Sequence, residues 1–303
     1  MERERDMREK VKRLSLLFIA AVIWGAAFVA QSKGMDYVGG FTFNCLRSLL
    51  GGVVLIPVIC VLNNVRKNKK SAGNTAGDRK TLVTGGVCCG VLLCLATNLQ
   101  QFGIKYTTVG KAGFITAMYI VLVPIFGIFV RRRAGKFVWL GVALAVAGLY
   151  LLCINEDFHI GKGDLLVLGC AVVFSVHILC VDYFSPLVDG VKLSCIQFFT
   201  CGILSGIPML IFEEISLNDI ADCRIPILYA GIMSCGVAYT LQIIGQKNVN
   251  PTVASMVLSL EAVVSVLAGW VILGQNMSGK ELLGCVVMFA AIILAQIPDR
   301  KAP

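Results

Sequence analysis

Residues 99–112 read LQQFGIKYTTVGKA, and residues 241–254 read LQIIGQKNVNPTVA. At this offset of 142, Gln100 falls on Gln242, Gly103 on Gly245, Lys105 on Lys247 and Ala112 on Ala254, and further on Gly127 falls on Gly269. The register extends outward from there. An offset of 151 pairs Gly51 with Gly202 and Pro57 with Pro208, and one of about 150 sets Trp24-Gly25 against Phe174-Ser175. Apolar helices resemble one another by composition, so no single match decides anything. A constant order, with offsets that change only where loop lengths change, indicates an internal repeat.

Each copy holds five apolar segments. Crossing a hydrocarbon core about 30 Å thick takes roughly 20 apolar residues in a helix. Ten stretches meet that need: 14–31, 39–62, 81–103, 112–130, 137–154, 164–182, 193–212, 225–245, 252–273 and 280–297. The odd number per copy matters. A unit of five spans ends on the side opposite its start, so its second copy enters the bilayer upside down. Inverted repeats of this kind recur in secondary transporters, with the substrate site near the midplane between the copies. The expected fold is therefore an all-α integral membrane protein of ten transmembrane helices. Its two inverted five-helix repeats cover 14–154 and 162–297, behind a basic tail at 1–13.

Composition agrees. The chain is 57% hydrophobic and 15% charged, with a mean hydropathy of +0.82. The formal charge of +9 would suggest a nucleic-acid partner in a soluble protein. Its distribution points elsewhere. Six basic residues sit in the tail (Arg3, Arg5, Arg8, Lys10, Lys12, Arg13), six in the loop at 63–80, and four in the loop at 131–136 (Arg131, Arg132, Arg133, Lys136). The intervening loops carry one or two each. By the positive-inside rule the basic side is cytoplasmic, and an even number of spans puts both termini there. The bases read as topology signals on a multi-pass protein of the cell membrane, with no nucleic-acid role.

The N-terminus has the basic head and apolar stretch of a signal peptide, with small residues at Ala27 and Ala30. Nine further spans make an uncleaved first span the expected reading. Of thirteen cysteines, only Cys223 falls in a loop. No C-x-x-C spacing and no His partner accompanies them, so neither disulfides nor a metal site is expected, and no cofactor either. Small residues at four-residue spacing (Gly86/Gly90, Ser48/Gly52, Gly202/Gly206, Gly141/Ala145) suit close helix packing, within the chain or in a homodimer.

Polar residues inside the spans carry the functional reading. An ionisable side chain at a helix centre costs about 2.5–3.5 kcal/mol or more, so each needs a reason. Arg47 in span 2 can snorkel, pair with an acid or face a cavity; the structural or interfacial role is the expected one. Glu261 lies in the middle of span 9. It either exchanges a proton with a gradient or ties helices together. His177 in span 6 is the other titratable candidate, against a packing role. Span 3 presents Thr97, Asn98, Gln100 and Gln101, and its counterpart span 8 presents Tyr239, Thr240 and Gln242. Tyr119 occupies the register of Glu261. Polar groups duplicated on paired helices suit a cavity that hydrogen-bonds a solute, beside the plainer role of bonding neighbouring helices. Trp24, Tyr119, Phe174 and Tyr239 would suit a solute with an apolar or aromatic part.

These features resemble the ten-span EamA family of the drug/metabolite transporter superfamily, over residues 14–297. The resemblance is carried by Trp24-Gly25-Ala26-Ala27-Phe28, Arg47, Pro124, Gly161-Lys162-Gly163-Asp164, and Leu260-Glu261 with Leu273-Gly274-Gln275. It implies alternating-access movement of small metabolites, amino acids or drugs through a cavity lined by spans 1, 3, 4, 6, 8 and 9. The chain departs from the family pattern twice. Ala262 follows Glu261 where the family often has proline, and Gln275 stands where an acid is common.

Other classes fit poorly. Gly161-Lys162-Gly163-Asp164 has the G-x-G-D form of an intramembrane aspartyl protease, but span 5 offers no second carboxylate. A channel needs a polar ring or filter, and a nucleotide-driven pump needs a phosphate-cradling loop. Neither pattern is present. The expected function is a secondary transporter of a small, amino-acid-like organic solute, with proton coupling through Glu261. The alternatives are an uncoupled facilitative carrier or an exporter of drugs or toxic metabolites, and more distantly an intramembrane enzyme. The residues expected to meet the solute are Trp24, Asn98, Gln101, Tyr119, His177, Tyr239 and Gln242.

Overall fold

The computed structural model describes residues 2–68, 79–107, 109–130, 135–153, 161–273, 278–295 and 297, and these residues form helices and turns without a strand. Lys69, Lys70, Arg131, Arg132, Arg133 and the Gly274-Gln275 pair lie outside the described residues.

The first half comprises α1 (Glu2–Gly34), α2 (Gly40–Asn68), α3 (Arg79–Ile104), α4 (Val109–Ala117), α5 (Tyr119–Phe129) and α6 (Lys136–Cys153). Residues 2–13, read in the sequence as a tail, are continuous with the first long helix. The second half comprises α7 (Lys162–Phe184), α8 (Gly190–Phe212), α9 (Leu217–Asp222), α10 (Arg224–Leu228), a π-helical segment (Tyr229–Ala238), α11 (Tyr239–Gln246), α12 (Pro251–Leu258), α13 (Leu260–Leu273) and α14 (Gly279–Ala295). Among the described residues, eight helical stretches are long and apolar enough to cross a bilayer. The apolar stretches in α6 and α14 are shorter, at Lys136–Gly148 and Leu282–Leu294, and these two helices pack against each other.

Hydrocarbon offers no partner to a backbone N–H or C=O, so a spanning segment must satisfy its own, which a helix does. The outward faces carry large apolar side chains. Ile203, Ile207, Leu210 and Ile211 line one exposed stripe of α8, with Leu210 72% exposed. Small residues let the helices approach inside the bundle. A side chain at Gly90 would reach within 2.7 Å of the Gln197 carbonyl oxygen on α8. A Cβ at Gly103 would stand 3.0 Å from the Gly163 carbonyl of α7, and one at Gly245 would stand 2.9 Å from the Arg13 carbonyl of α1. Ser48 bonds Cys201 between α2 and α8, 3.4 Å apart. These small-residue faces are thus packed within the chain.

Helix ends are closed by side chains. Asp189 accepts from the Val191 and Lys192 N–H groups at the start of α8, and Asn250 accepts from the Thr252 N–H before α12. Asn248 takes φ 60°, a left-handed conformation that Asn tolerates, and turns the chain between α11 and α12. Glu213 performs this service at long range: its carboxylate accepts from the Phe41 and Thr42 N–H groups and the Thr42 hydroxyl, anchoring the start of α2.

Two long spans are broken in the middle. Met118 separates α4 from α5, and Ser259 separates α12 from α13. The second break needs no proline at 262. The Ser255, Ser259 and Ser265 hydroxyls bond back to carbonyls three residues earlier, at 2.7–2.8 Å, which bends a helix. Each break falls within two residues of Tyr119 or Glu261, the pair at equivalent registers.

Candidate functional site

A cavity of about 460 Å³ of atom-free space opens where these breaks meet α1, α2, α3, α7 and α11. Trp24, Phe28 and Gln31 enter from α1 at the i, i+4, i+7 positions that share one helix face. Arg47 enters from α2, Gln100 from α3 and Tyr119 from α5. Phe174 and Ile178 come from α7, Ser234 from the π-helical segment, and Tyr239 and Gln242 from α11. Leu258 and Glu261 complete the wall from α12 and α13. The lining therefore mixes apolar and aromatic side chains with amide, hydroxyl, guanidinium, phenol and carboxyl groups.

Polar contacts fix this geometry. Tyr119 Oη donates to Glu261 Oε1 at 2.9 Å across the cavity wall. The Trp24 and Tyr239 rings are 4.5 Å apart at a tilt of 60°, and Phe198 stands edge-on to Tyr239 at 5.4 Å. Gln100 Nε2 donates to Thr116 Oγ1 at 3.2 Å. The Arg47 guanidinium lies 5.6 Å from the centre of the Phe43 ring, a cation–π distance. Among the described residues no ion pair joins Arg47 to Glu261.

Away from the cavity, side-chain contacts tie helix ends together. Asp164 pairs with Lys111 at 2.6 Å, accepts from Thr107 at 2.7 Å and caps its own helix through the Gly161 N–H at 2.8 Å. The Gly161-Lys162-Gly163-Asp164 motif is thus a helix start clamped to α4, with Gly163 lying against the Gly103 carbonyl and Tyr106. Arg13 Nη1 donates to the Lys247 carbonyl at 2.5 Å, joining α1 to the turn after α11.

The EamA-like transporter family matches residues 12–154 and 161–296. The chain belongs to that family. It is a multi-pass membrane protein and a transporter of the EamA type. It is 28% identical over 293 residues to an uncharacterized transporter of Archaeoglobus fulgidus, covering 95% of this chain and 88% of the relative. It is 24% identical to the glucose uptake protein GlcU of Staphylococcus xylosus, covering 94% and 96% of the two chains. Over 186 residues, 58% of this chain and 59% of the relative, it is 25% identical to the threonine/homoserine exporter RhtA of Salmonella typhimurium. A crystal structure with 18% identity superimposes with a TM-score of 0.76 over 95% of this chain and 97% of the other, which establishes a shared fold.

In this EamA-like chain Trp24, Tyr119, Tyr239, Gln242 and Glu261 all reach the cavity. The other three candidates stand behind its wall. His177 is fully buried, within 3.2 Å of Gln197 through Nε2 and edge-on to both Phe174 and Tyr239 at 6.3 Å. Gln101 donates to the Gln31 carbonyl at 3.1 Å and so holds α1 where it meets the cavity. Asn98 bonds Asn44 and Ser205 at 2.9 and 3.0 Å between α2, α3 and α8.

Eight cavity-lining residues were outside the expected contact set, and four of them are polar: Gln31, Arg47, Gln100 and Ser234. Arg47 was readable as an ionisable group inside a span, but its face was not. Gln31 follows Trp24 by seven residues, two helical turns, which is a usable signal. Ser234 sits in the π-helical segment, whose extra residue per turn shifts the register that α-helical counting assumes.

Proposed function

We propose that the chain is a secondary transporter that moves a small, amino-acid-like organic solute across the cytoplasmic membrane by alternating access. In this reading α6 and α14 also cross the bilayer, giving ten spans in two inverted halves with both termini cytoplasmic. The pattern of helix contacts supports it, because it persists when the halves are exchanged. Gly103 meets α7 near Gly163 and Val167, while Gly245 meets α1 at Arg13 and Leu17. Offsets of 142 and 150 convert one set of positions into the other. Likewise α2 packs on α8, α6 on α14, and Tyr119 on Glu261, each element meeting its own equivalent.

The observation that carries the function is a cavity walled by both halves, in which two interrupted helices present a carboxyl group and a phenol. Trp24, Tyr119, Tyr239 and Gln242 contact the solute. Asn98, Gln101 and His177 position the wall. Glu261 takes up and releases a proton as the halves rock about the cavity. The relatives RhtA and GlcU, by name a threonine/homoserine exporter and a glucose uptake protein, nominate the first solutes to try.

The test is counterflow in proteoliposomes loaded with unlabelled L-threonine, L-phenylalanine or D-glucose. Transient accumulation of the matching labelled solute is expected for one of them, with loss on Tyr239→Ala. Failure of every member of a wider amino-acid and sugar panel would remove the transport reading. A second reading is favoured by the Tyr119–Glu261 hydrogen bond: carriage is uncoupled, and Glu261 serves only to join α5 to α13. An imposed pH gradient separates the two.

A further inference from the structure

Four buried polar atoms on cavity-lining residues have no hydrogen-bond partner: Trp24 Nε1, Arg47 Nε, Gln31 Oε1 and Gln242 Oε1. Unmatched buried polar groups are rare in folded proteins because each is strongly unfavourable. Of the ten such atoms among the described residues, these four belong to residues that line one cavity. Two are donors, one of them on a guanidinium that is 3% exposed. Two are carbonyl acceptors on glutamines that are 4% and 2% exposed.

We propose that Arg47 receives the carboxylate of the transported solute, with the Trp24 indole N–H as second donor, while Gln31 and Gln242 receive its amine. The substrate class is then a free α-amino acid. This inference rests on the transport reading above and deepens its substrate assignment.

Charge and shape support that class. A buried guanidinium needs a counter-charge; the Phe43 ring 5.6 Å away does not supply one, and Nε is buried without a hydrogen-bond partner. Guanidinium donors match a carboxylate geometrically. A phosphate dianion fits less well, because Glu261 lies in the same cavity and repels it when ionised. A sugar would match the glutamines but leave Arg47 without an anion. An α-amino acid supplies an acceptor end and a donor end on one carbon. Its side chain finds Phe28, Phe174, Ile178 and Leu258 as an apolar wall. The other ionisable groups on the cavity are Tyr119, whose hydroxyl is bonded to Glu261, and Tyr239.

The experiment is thermal unfolding of the purified full-length protein in detergent with L-threonine, L-leucine or L-phenylalanine, with the amide of each, and with D-glucose. A ligand that binds the folded state raises its melting temperature. At least one amino acid is expected to stabilise, and its amide at the same concentration is not. Arg47→Gln should weaken the apparent affinity about tenfold to a hundredfold, the range for loss of a hydrogen bond to a charged group. Arg47→Lys should keep part of the response, and Trp24→Phe should reduce it.

The proposal is overturned if the amide stabilises as well as the acid, if Arg47→Gln retains the full shift, or if glucose alone stabilises. No shift with any amino acid overturns it too. Should Arg47→Gln not fold, the acid–amide comparison and Trp24→Phe decide. Flux in proteoliposomes separates this inference from the transport reading. Glucose counterflow without amino-acid binding sinks the carboxylate site and leaves transport standing. Carboxylate-dependent binding with no flux does the reverse.

Discussion

Lys111 Nζ stands 2.6 Å from Asp164 Oδ2, joining the first turn of α4 to the first turn of α7. Asp164 is 4% exposed and also serves Thr107 and the Gly161 N–H. Asp164→Asn should therefore lower stability by about 1–3 kcal/mol. A double-mutant cycle with Lys111→Met, read by chemical unfolding in detergent, should return a coupling of about 0.5–3 kcal/mol. A coupling near zero would mean that the contact is incidental.

Glu261→Gln keeps the shape of the side chain and an oxygen for the Tyr119 hydroxyl while removing the exchangeable proton. Flux driven by a pH gradient should disappear, and solute exchange at equal pH should persist. Proteoliposomes with and without an imposed gradient give both numbers. An unchanged pH dependence would assign Glu261 to joining helices alone.

Two glycine substitutions should act with opposite signs. At Gly90 an added Cβ would meet Thr200 at 2.5 Å and the Gln197 carbonyl at 2.7 Å, so Gly90→Ala should destabilise by about 1–3 kcal/mol. At Gly110 the nearest atom is on Val266 at 3.7 Å. There alanine removes unfolded-state entropy without a clash, and Gly110→Ala should stabilise by about 0.4–1 kcal/mol. Melting temperatures of the pair decide.

His177→Leu should lower stability by about 1–2 kcal/mol, because Gln197 loses its partner in a fully buried place. The order in which competing solutes inhibit counterflow should stay the same. A change in selectivity would bring His177 into contact with the solute.

Much of this was legible in the sequence because bilayers impose length and apolarity on a helix. The 142-residue register pairs Gln100 with Gln242 and Tyr119 with Glu261, and all four line the cavity. Face and depth were less legible. A helix apolar all round has a weak moment, so nothing in α3 told Gln100, on the cavity, from Gln101, turned toward α1. With Ala262 where the family often has proline, the sequence alone gives no signal for a bend between α12 and α13. The bend arises from serine hydroxyls bonding backward. The face of Arg47 depended on how α2 packs against α8 and the π-helical segment, which is a property of packing.

The Tyr119–Glu261 contact joins two positions that are equivalent at the 142-residue offset. In a dimer of identical chains, a position that touches its own counterpart must carry the same side chain on both sides. Two glutamates would contend for one proton, and two tyrosines would have no acid between them. Covalent linkage in one reading frame lifts that restriction. An acid and its hydroxyl donor can then evolve separately at a single point of contact, an asymmetry that no self-associating half could encode.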